Sequence, residues 1–249
     1  RDFCLSRGLG DVYKRQEYYR NLYHPSSGFF RAKNADGKWL EPFDPYQYGA
    51  NGGNPFTEGN AWQYFWYVPQ NIPALIALTG GDKAFTNKLD QFFTTTQQSG
   101  ELNSNASGFV GQYAHGNEPS HHVAYLYNYA GQPWKTQQYV AHILTNLYNN
   151  SFSGYAGNDD CGEMSAWYIF SAMGFYPVNP ANGIYVIGCP LLEETCIQLP
   201  NGKQFTVKAP KRNEKDIYIQ SARLNGKNYN KTYLSHEDIL KGGTLEFKM

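Results

Sequence analysis

The stretch from Gly157 to Phe170, GNDDCGEMSAWYIF, joins a glycine-bounded turn to an aromatic helix. The turn carries two adjacent acids, Asp159 and Asp160, just before the helix begins. Such residues often serve only as caps, because Asp and Asn satisfy the free amide groups of a helix N-terminus. Packed against aromatic rings, the same carboxylates could hold water, a metal ion or a sugar. The stretch therefore predicts a helical fold and leaves capping and a functional site both open.

The same alternation of short loops and helices fills residues 54–176. Caps, stops and apolar spacing predict helices over residues 60–68, 71–80, 83–95, 121–130, 133–149 and 162–173. Because the links are short, neighbouring helices should pack antiparallel. Polar loops precede three of the helices, so alternate helices would collect these loops at one end of a ring. We predict a mainly α fold in which residues 17–179 form part of an (α/α)6 toroid.

Short strands replace helices after Pro180. The predicted strands span residues 184–188, 196–199, 205–208, 217–219, 222–224 and 244–247. Turn pairs at Asn182-Gly183, Asn201-Gly202 and Asn225-Gly226 punctuate this region. We predict a small antiparallel β module over residues 180–249. It carries no cluster of titratable groups and is interpreted as accessory.

Residues 1–16 show no helical or strand period. We interpret them as non-native read-through and place the start of the native chain near Glu17. The four cysteines, Cys4, Cys161, Cys189 and Cys196, lack zinc-site spacing. Cys189 and Cys196 could pair across a hairpin, but nothing in the sequence requires it.

Charge and composition exclude some classes of function. Lys plus Arg and Asp plus Glu balance at 21 each, so nothing favours nucleic acid as a partner. The sequence has no apolar run of transmembrane length. The 249 residues include 21 Tyr, 15 Phe and 5 Trp, many of them beside Asn, Gln, Gly or His. Flat rings next to amide donors suit carbohydrate, although most of these rings should fill the core.

The first polar loop, residues 57–64, contains Glu58 followed by Gly59. Glu58 could be a first-turn acid that the helix dipole favours. The glycine also permits close approach of a ligand, and Trp62 and Tyr64 offer stacking faces. Such apolar surroundings suit a carboxyl group that acts as a general acid.

The second polar loop contains His115, Asn117 and Glu118, followed by His121 and His122. A zinc site would not use two adjacent histidines that point to different helix faces. The oxygen donors Asn117 and Glu118 suit a hard cation such as calcium better. His115 and His122 could equally be hydrogen-bonded structural residues or contacts to a ligand.

The third loop completes a pair of carboxylates. Two acids on different loops, spaced to leave room for a water molecule, are typical of inverting glycoside hydrolysis. Glu58 and Asp160 are far apart in sequence, so only the fold can bring them together.

Three segments resemble the signature segments of glycoside hydrolase family 92: residues 57–64 (TEGNAWQY), 115–122 (HGNEPSHH) and 157–168 (GNDDCGEMSAWY). The likeness continues through residues 174–178 (GFYPV) and 185–191 (YVIGCPL). That family consists of exo-acting, calcium-dependent α-mannosidases with an (α/α)6 catalytic domain. The resemblance implies release of terminal α-linked mannose from glycans, including N-glycans, by an inverting mechanism.

The resemblance also implies roles for individual residues. Glu58 would be the general acid and Asp160 the base that activates water, with Asp159 assisting. A calcium ion would bind O2 and O3 of mannose and help to distort its ring. The residues assigned to the substrate are Trp62, His115, Asn117, Glu118 and His122. The residues assigned to calcium are Asn117, Glu118 and Asp160.

Two departures from the family pattern are visible. Members specific for α-1,2 linkages carry an acidic residue after the histidine of the second motif, where this chain has Gly116. The linkage therefore stays open between α-1,2, α-1,3 and others. The family's amino-terminal β-sandwich, a partner for this region, and the first half of the toroid have no counterpart in the sequence. We therefore expect the chain alone to be inactive.

Other functions stay open from the residues alone. The chain could be a carbohydrate-binding or scaffolding fragment of a toroid-fold protein, with acids that only cap helices. A phosphorylase or a lyase would need positive charge, and the three site loops contain no Lys or Arg. A periplasmic or extracellular location follows only from the family resemblance.

Overall fold

A helical part is followed by a strand-rich part in the computed structural model, which describes residues 9–49, 55–99, 106–213 and 215–249. The α-helices are α1 (Leu9–Arg15), α2 (Ala61–Tyr64), α3 (Ile72–Leu78), α4 (Asp82–Thr94), α5 (Pro133–Asn146), α6 (Glu163–Met173) and α7 (His236–Leu240). The 3₁₀ helices are Tyr18–Leu22, Pro69–Asn71, Glu118–Ser120, Val123–Ala130 and Pro180–Asn182. The short strands of the helical part are β1 (Tyr23–His24), β2 (Phe29–Phe30), β3 (Phe109–Val110) and β4 (Tyr113–Ala114). The later strands are β5 (Phe175–Asn179), β6 (Ile184–Ile187), β7 (Glu194–Gln198), β8 (Gln204–Lys208), β9 (Ser221–Leu224), β10 (Lys227–Asn228), β11 (Tyr233–Ser235) and β12 (Gly243–Lys248).

Helix α2 begins at a capping box. The Asn60 side chain accepts a hydrogen bond from the Gln63 amide, and the Gln63 side chain accepts one from the Asn60 amide. The predicted helix over 60–68 is too long, because α2 ends at Tyr64. Pro69 lacks an amide hydrogen and disfavours helical backbone at the residue before it, so the chain resumes as a short 3₁₀ turn.

Helix α4 has the predicted buried face. Phe85, Leu89, Phe92 and Phe93 are all buried, as the helical period of the apolar residues indicates. The predicted start of this helix at residue 83 is one residue late, because Gly81 is the N-cap and Asp82 is the first helical residue. An acid in that first turn is still favourable, since it faces the positive end of the helix dipole.

The segment Val123–Ala130 is a 3₁₀ helix and not the predicted α-helix over 121–130. It lies in the middle of the helical part and packs against α3, α4 and α5. Its buried tyrosines are hydrogen-bonded: Tyr125 donates to Ser171 at 2.7 Å, and Tyr127 donates to Asp90 at 2.9 Å. These tertiary contacts hold the backbone in a tighter helix than local sequence would select.

Two hydrophobic cores divide the molecule. The first lies among the helices and is rich in rings, with Trp66 packed edge-on against Phe85 at 5.4 Å between ring centroids. The second lies in the strand-rich part and includes Phe205, Leu245 and Phe247. The first core is built mainly from helices and the second mainly from strands, which agrees with the change in residue pattern near Pro180.

The larger sheet has five strands in the order β10-β9-β12-β8-β7. Asn–Gly turns join β7 to β8 and β9 to β10, as predicted. The prediction of a fully antiparallel module is wrong, because β12 pairs in parallel with β8 and antiparallel with β9. A parallel pair requires a long crossover. Here that crossover runs through β9, β10, β11 and α7.

The predicted strand at residues 217–219 is not a strand in the structure. Its backbone groups bond to side chains of neighbouring segments. The Cys189 thiol donates to the Ile217 carbonyl at 3.2 Å, and the Ile219 amide donates to the Gln137 side chain at 3.1 Å. Ile217 therefore packs against the helical core and Ile219 against the strand core, and the segment does not extend a sheet.

A smaller sheet, with the order β11-β6-β5, joins the two cores. The domain boundary predicted between residues 179 and 180 falls between its paired strands β5 and β6. Val178 and Val186 belong to the helical core, whereas Phe175 and Ile187 belong to the strand core. The sheet thus ties the strand-rich part firmly to the helices.

Helix α1 lies inside the segment 1–16 that the sequence analysis assigns to read-through, and residues 1–8 lie outside the described residues. Cys161, Cys189 and Cys196 are free thiols, so the pairing that the sequence permits for the last two does not form. Within the described ranges, no helix has both the length and the apolar character to cross a membrane.

Candidate active site

Left-handed backbone marks two of the predicted site loops. Among the described residues, the non-glycine residues with positive φ are Glu58 (56°), Asp160 (49°), Cys161 (60°) and Asn225 (52°). Asn225 belongs to an Asn–Gly turn, where this conformation is expected. The other three lie in the loops that carry the predicted acid and base. Non-glycine residues in this region cost free energy and cluster at functional sites.

The first and second loops are in direct contact. The Asn117 Nδ2 atom donates to the Glu58 carbonyl oxygen at 2.9 Å. Since a carbonyl can only accept, this bond fixes the orientation of the Asn117 amide and leaves its Oδ1 atom as an acceptor. Asn117 is buried, and Glu58 and Glu118 are half-buried. The geometry therefore brings three predicted site residues together.

The second and third loops also touch, through glycines. A Cβ atom placed on Gly157 would lie 2.6 Å from the Gly116 Cα atom. A Cβ atom on Gly116 would meet the Ser107 hydroxyl and lie 3.0 Å from the Ala156 carbonyl oxygen. The two backbones approach this closely only because neither position carries a side chain. This crossing brings the third loop against the second.

The adjacent acids of the third loop have different environments. Asp159 is half-buried and accepts hydrogen bonds from the Ser165 amide at 3.0 Å and the Ser165 hydroxyl at 2.8 Å. It therefore caps the start of α6, as the structural interpretation predicts. Asp160 is exposed, and its carboxylate has no partner among the described side chains. The second acid is thus the more accessible of the two.

A histidine–glutamate pair links the same two loops. His121 Nδ1 lies 3.0 Å from Glu163 Oε1, and His121 Nε2 lies 2.9 Å from the His115 carbonyl oxygen. The His121 ring thus bridges the Glu163 carboxyl group and the backbone of the second loop. The His121 side chain is 2% exposed and that of Glu163 is 44% exposed. A buried histidine thus holds a carboxyl group at the surface of the third loop.

His115 is enclosed by aromatic residues. Its ring nitrogens lie 2.7 Å from the Tyr113 hydroxyl and 2.6 Å from the Tyr148 hydroxyl. The Trp167 ring packs edge-on against it at 4.4 Å. Burial lowers the pKa of His115 well below its usual value. The ring has no surface for a sugar in this fold, so it supports the loop from beneath.

His122 and Trp62 are also buried. His122 hydrogen-bonds to the Trp66 carbonyl oxygen at 2.8 Å, and burial lowers its pKa to about 4. Trp62 packs edge-on against Phe29 at 4.9 Å between ring centroids. Both side chains are buried in this fold, so neither offers a stacking face.

Three tyrosines, Tyr64, Tyr67 and Tyr176, lie near the acids of the site loops. Burial raises the pKa of Tyr64, and the charges of Glu58, Tyr67 and Glu118 raise it further. Burial likewise raises the pKa of Tyr176, with smaller effects from Glu163 and Tyr67. Tyr67 is 55% exposed and therefore offers the accessible ring. The Tyr67 ring also packs edge-on against His122, at 5.9 Å between ring centroids.

Tyr67, Tyr176 and the pair of His121 with Glu163 are not among the predicted site residues. All four lie in or beside the quoted motifs. The available signal was the position of Glu163 in the first turn of α6, directly after the two acids. Its histidine partner could not be identified without the fold, because the contact joins different loops.

The second loop offers some of the oxygen ligands that a hard cation such as calcium would need. The Asn117 Oδ1 atom and the Glu118 carboxylate are oxygen donors, which calcium prefers. Within the described ranges, however, no group of three or more His, Cys, Asp or Glu side chains is arranged to hold a metal. The described side chains would therefore supply part of a calcium coordination sphere.

Comparison with known proteins identifies the family. The model of the glycosyl hydrolase family 92 catalytic domain matches residues 9–249. The chain belongs to glycosyl hydrolase family 92. The match begins inside the segment 1–16 and covers the helical and the strand-rich parts alike.

Solved family 92 structures share this fold. The chain is 38% identical to an α-mannosidase of Bacteroides thetaiotaomicron in complex with mannoimidazole, with a TM-score of 0.87, covering 99% of this chain and 34% of that one. It is 40% identical to an inverting mannosidase of the same organism, with a TM-score of 0.84, covering 98% of this chain and 35% of that one. It is also 30% identical to an uncharacterized secreted glycosidase of Arthroderma benhamiae, over 100% of this chain and 34% of the relative. The chain thus spans about a third of the length of these relatives.

Proposed function

We propose that this chain carries the acid and the base of an inverting, calcium-assisted α-mannosidase that removes terminal mannose from glycans. The observation that carries the proposal is the left-handed backbone at Glu58 and Asp160, on loops joined through the second motif. Strain of this kind persists where the surroundings hold a residue for function. Family membership supports the class of reaction, and one family relative is named as an inverting mannosidase.

The proposed step needs one acid and one base. Glu58 gives its proton to the glycosidic oxygen while the bond from that oxygen to C1 of mannose breaks. Asp160 takes a proton from a water molecule as the water oxygen bonds to C1 from the opposite face. The products are mannose of inverted anomeric configuration and the free hydroxyl of the remaining glycan. Asp159, held by Ser165, keeps the turn in place for Asp160.

Asn117 and Glu118 are proposed to contact the sugar or its calcium ion. Their neighbourhood with Glu58 supports this, because the Asn117 amide is already oriented by the Glu58 carbonyl. When bound, calcium would supply positive charge to the sugar hydroxyls. Asp160, the third proposed ligand, is exposed and has its carboxylate free.

The arrangement of the whole enzyme is a further part of the proposal. The helices would belong to an (α/α)6 toroid, completed by regions that correspond to the rest of the relatives' length. Gly116 supports a linkage other than α-1,2, because an acidic side chain there would collide with Ser107 and Ala156. An extracellular or periplasmic location is supported by the relative that is named as secreted.

Acid and base can be tested separately by their chemistry. The experiment uses the longest open reading frame that contains this chain, with Glu58→Gln and Asp160→Ala introduced singly. Glu58→Gln should lose much more activity on an alkyl α-mannoside than on a dinitrophenyl α-mannoside, whose leaving group needs no proton. For Asp160→Ala, added azide should restore turnover and give the β-mannosyl azide, because azide replaces the activated water.

Glu246→Gln is the matched control, since Glu246 is an exposed carboxylate on β12 far from the loops in sequence. It should leave turnover unchanged. Equal losses on both substrates for Glu58→Gln would contradict its role as the acid. Full activity in both site variants would favour a binding or scaffolding function, in which the acids only cap helices.

A further inference from the structure

Glu163 carries a carboxyl group at the third loop to which the proposed reaction gives no role. The residue lies in the first turn of α6, and its amide donates to the Asp160 carbonyl oxygen at 3.3 Å. Its side chain is 44% exposed. An acid in a first helical turn is favourable by itself, because it faces the positive end of the helix dipole. That effect requires no fixed position of the carboxyl group, whereas this carboxyl group is held by a specific partner.

The partner is a buried histidine. His121 is 2% exposed, and its Nδ1 atom lies 3.0 Å from Glu163 Oε1. Its Nε2 atom lies 2.9 Å from the His115 carbonyl oxygen, which only accepts, so Nε2 carries a hydrogen. The His121 backbone is fixed as well, because its amide donates to the Glu118 carbonyl oxygen at 3.1 Å and its carbonyl accepts from the Trp167 indole at 2.9 Å. The second loop therefore positions the Glu163 carboxyl group next to the turn that carries Asp160.

The second carboxyl oxygen of Glu163, Oε2, is left as an acceptor. Two lone pairs would repel each other at 3.0 Å, so one hydrogen lies between His121 Nδ1 and Glu163 Oε1. Whichever of these two atoms bears that hydrogen, Oε2 has lone pairs and no hydrogen of its own. No group among the described residues donates to Oε2, and the three site loops contain no Lys or Arg. An exposed, positioned oxygen that only accepts suits a hydroxyl donor.

We infer that Glu163 Oε2 binds one hydroxyl group of the mannose residue that is released, and that His121 positions Glu163 for this contact. The inference rests on the proposed α-mannosidase reaction. Glu163 lies beside the proposed base, and in an inverting reaction the base acts on the side of C1 opposite to the leaving oxygen. The contact is therefore to the released mannose and not to the rest of the glycan.

Deoxy sugars test the contact in the longest open reading frame that contains this chain. The measurement is kcat/KM on dinitrophenyl α-mannoside and on its 2-, 3-, 4- and 6-deoxy analogues, none of which has a leaving sugar. Glu163→Ala should lower kcat/KM on the parent mannoside by about tenfold to a hundredfold, the loss expected for one hydrogen bond to a carboxylate. On the one analogue that lacks the bound hydroxyl group, wild type and variant should differ by less than about twofold, because that contact is already missing.

Glu237→Ala is the matched control, because Glu237 is an exposed acid in the first turn of α7, in the strand-rich part. It should leave kcat/KM unchanged on all of these substrates. Equal losses for Glu163→Ala on every substrate would show that Glu163 only supports the fold, and no loss on any of them would show that it does not touch the sugar. Either result overturns the inference while the proposed reaction stands. A wild-type enzyme that hydrolyses none of the mannosides would instead contradict the proposed reaction, and the inference with it.

Discussion

Three successive residues, Asp160, Cys161 and Gly162, hold positive φ angles of 49°, 60° and 94° before α6 begins. Glycine adopts this backbone freely, and aspartate tolerates it better than most residues. Cysteine has neither advantage, so Cys161 bears a conformational cost, and none of the described residues makes a hydrogen bond to its side chain. The turn is therefore held by what surrounds it, including the Asp159 bonds to Ser165.

Replacing Cys161 with glycine should stabilise the protein. Relief of the left-handed backbone is worth about 1–2 kcal/mol, offset by about 0.5–1 kcal/mol of extra chain entropy in the unfolded state. Cys161→Val should destabilise, because a β-branched residue is poorly suited to this region. Urea denaturation measures both changes.

Cys196 provides the control, since it is an exposed cysteine in the regular strand β7. Cys196→Gly should lower stability, because glycine weakens strands. A loss of stability in Cys161→Gly similar to that in Cys196→Gly would show that the turn at Cys161 is not strained.

His122 should make stability depend on pH. Burial lowers its folded pKa from 6.5 to about 4, so between these values the unfolded chain binds more protons than the folded one. Stability is therefore complete above pH 6.5 and falls as the pH drops towards 4, by an amount on the order of 3 kcal/mol. His122→Gln should flatten this dependence in urea denaturation between pH 4.5 and 7.

His142→Gln is the control at an exposed histidine of α5, and it should leave the pH dependence unchanged. His115 contributes a remaining slope, because burial lowers its pKa in the same direction. An unchanged slope in His122→Gln would mean that His122 is not held neutral in the folded state.

For individual residues, the sequence motifs predicted which side chains belong to the site better than they predicted what surrounds each side chain. The motifs pointed to both adjacent acids, but only the fold separates Asp159, which caps α6, from Asp160, which is free. Similarly, the choice between a structural and a sugar-binding His115 depended on Tyr113 and Tyr148. Tyr148 lies on a different segment, so no local pattern could reveal the contact.

The loops behave as one element because their backbones touch. The Gly116–Gly157 crossing and the Asn117–Glu58 hydrogen bond join all three of them. Each helix contributes its N-terminal end to this assembly, while the glycines allow the close approach. The site is therefore sensitive to the size of residues that carry no chemistry.

Gly116→Ala should destabilise the protein by about 1–3 kcal/mol, the usual cost of overpacking a close contact. The new Cβ atom would meet the Ser107 hydroxyl and crowd the Ala156 carbonyl. Ser107→Ala in the same chain should restore part of the loss, because it removes the nearest atom. Thermal unfolding measures the three variants.

Gly10→Ala is the matched substitution in open space, since nothing lies within 4 Å of a Cβ atom there and the residue is helical. It should be neutral or stabilising. If Gly116→Ala unfolds at the same temperature as Gly10→Ala, the crossing is not tightly packed.

Helices with a regular spacing of apolar residues were predicted well. Segments whose conformation depends on long-range contacts were not. The apolar face of α4 follows directly from its spacing. The 3₁₀ helix Val123–Ala130 and the irregular residues 217–219 depend on partners such as Ser171 and Gln137. Those partners are distant in sequence, so local secondary-structure propensity could not predict the contacts.

The whole molecule carries no net charge, with 21 basic and 21 acidic residues and a sequence pI of about 7.1. This balance suits a neutral glycan, whose approach needs no electrostatic steering. It also removes the repulsion that keeps copies of the chain apart near neutral pH.

Solubility should therefore pass through a minimum near pH 7 and rise on either side. Static light scattering from pH 5.5 to 9 would detect the solubility minimum as net attraction between molecules. Added salt should weaken the dependence of this attraction on pH, because salt screens the charges. A solubility that increases steadily through pH 7 would be inconsistent with this balance.

For the whole molecule, the division into helical and strand-rich parts was predicted from the change in apolar spacing and turn residues after Pro180. The parallel pairing of β12 with β8 did not, because turn signals report only on neighbouring strands. Closure of the helices into a toroid stays a prediction for the same reason: the period of a helix gives its buried face and not its place in a ring.

The position of β12 between β8 and β9 has a consequence for synthesis on the ribosome. The middle strand of the five is the last of them to be translated, so β7–β8 and β9–β10 must wait as separate hairpins. Until β12 arrives, β8 and β9 each present an open edge on which another nascent chain could pair. The strand-rich part is thus open to misassembly at these two edges while the protein is being made.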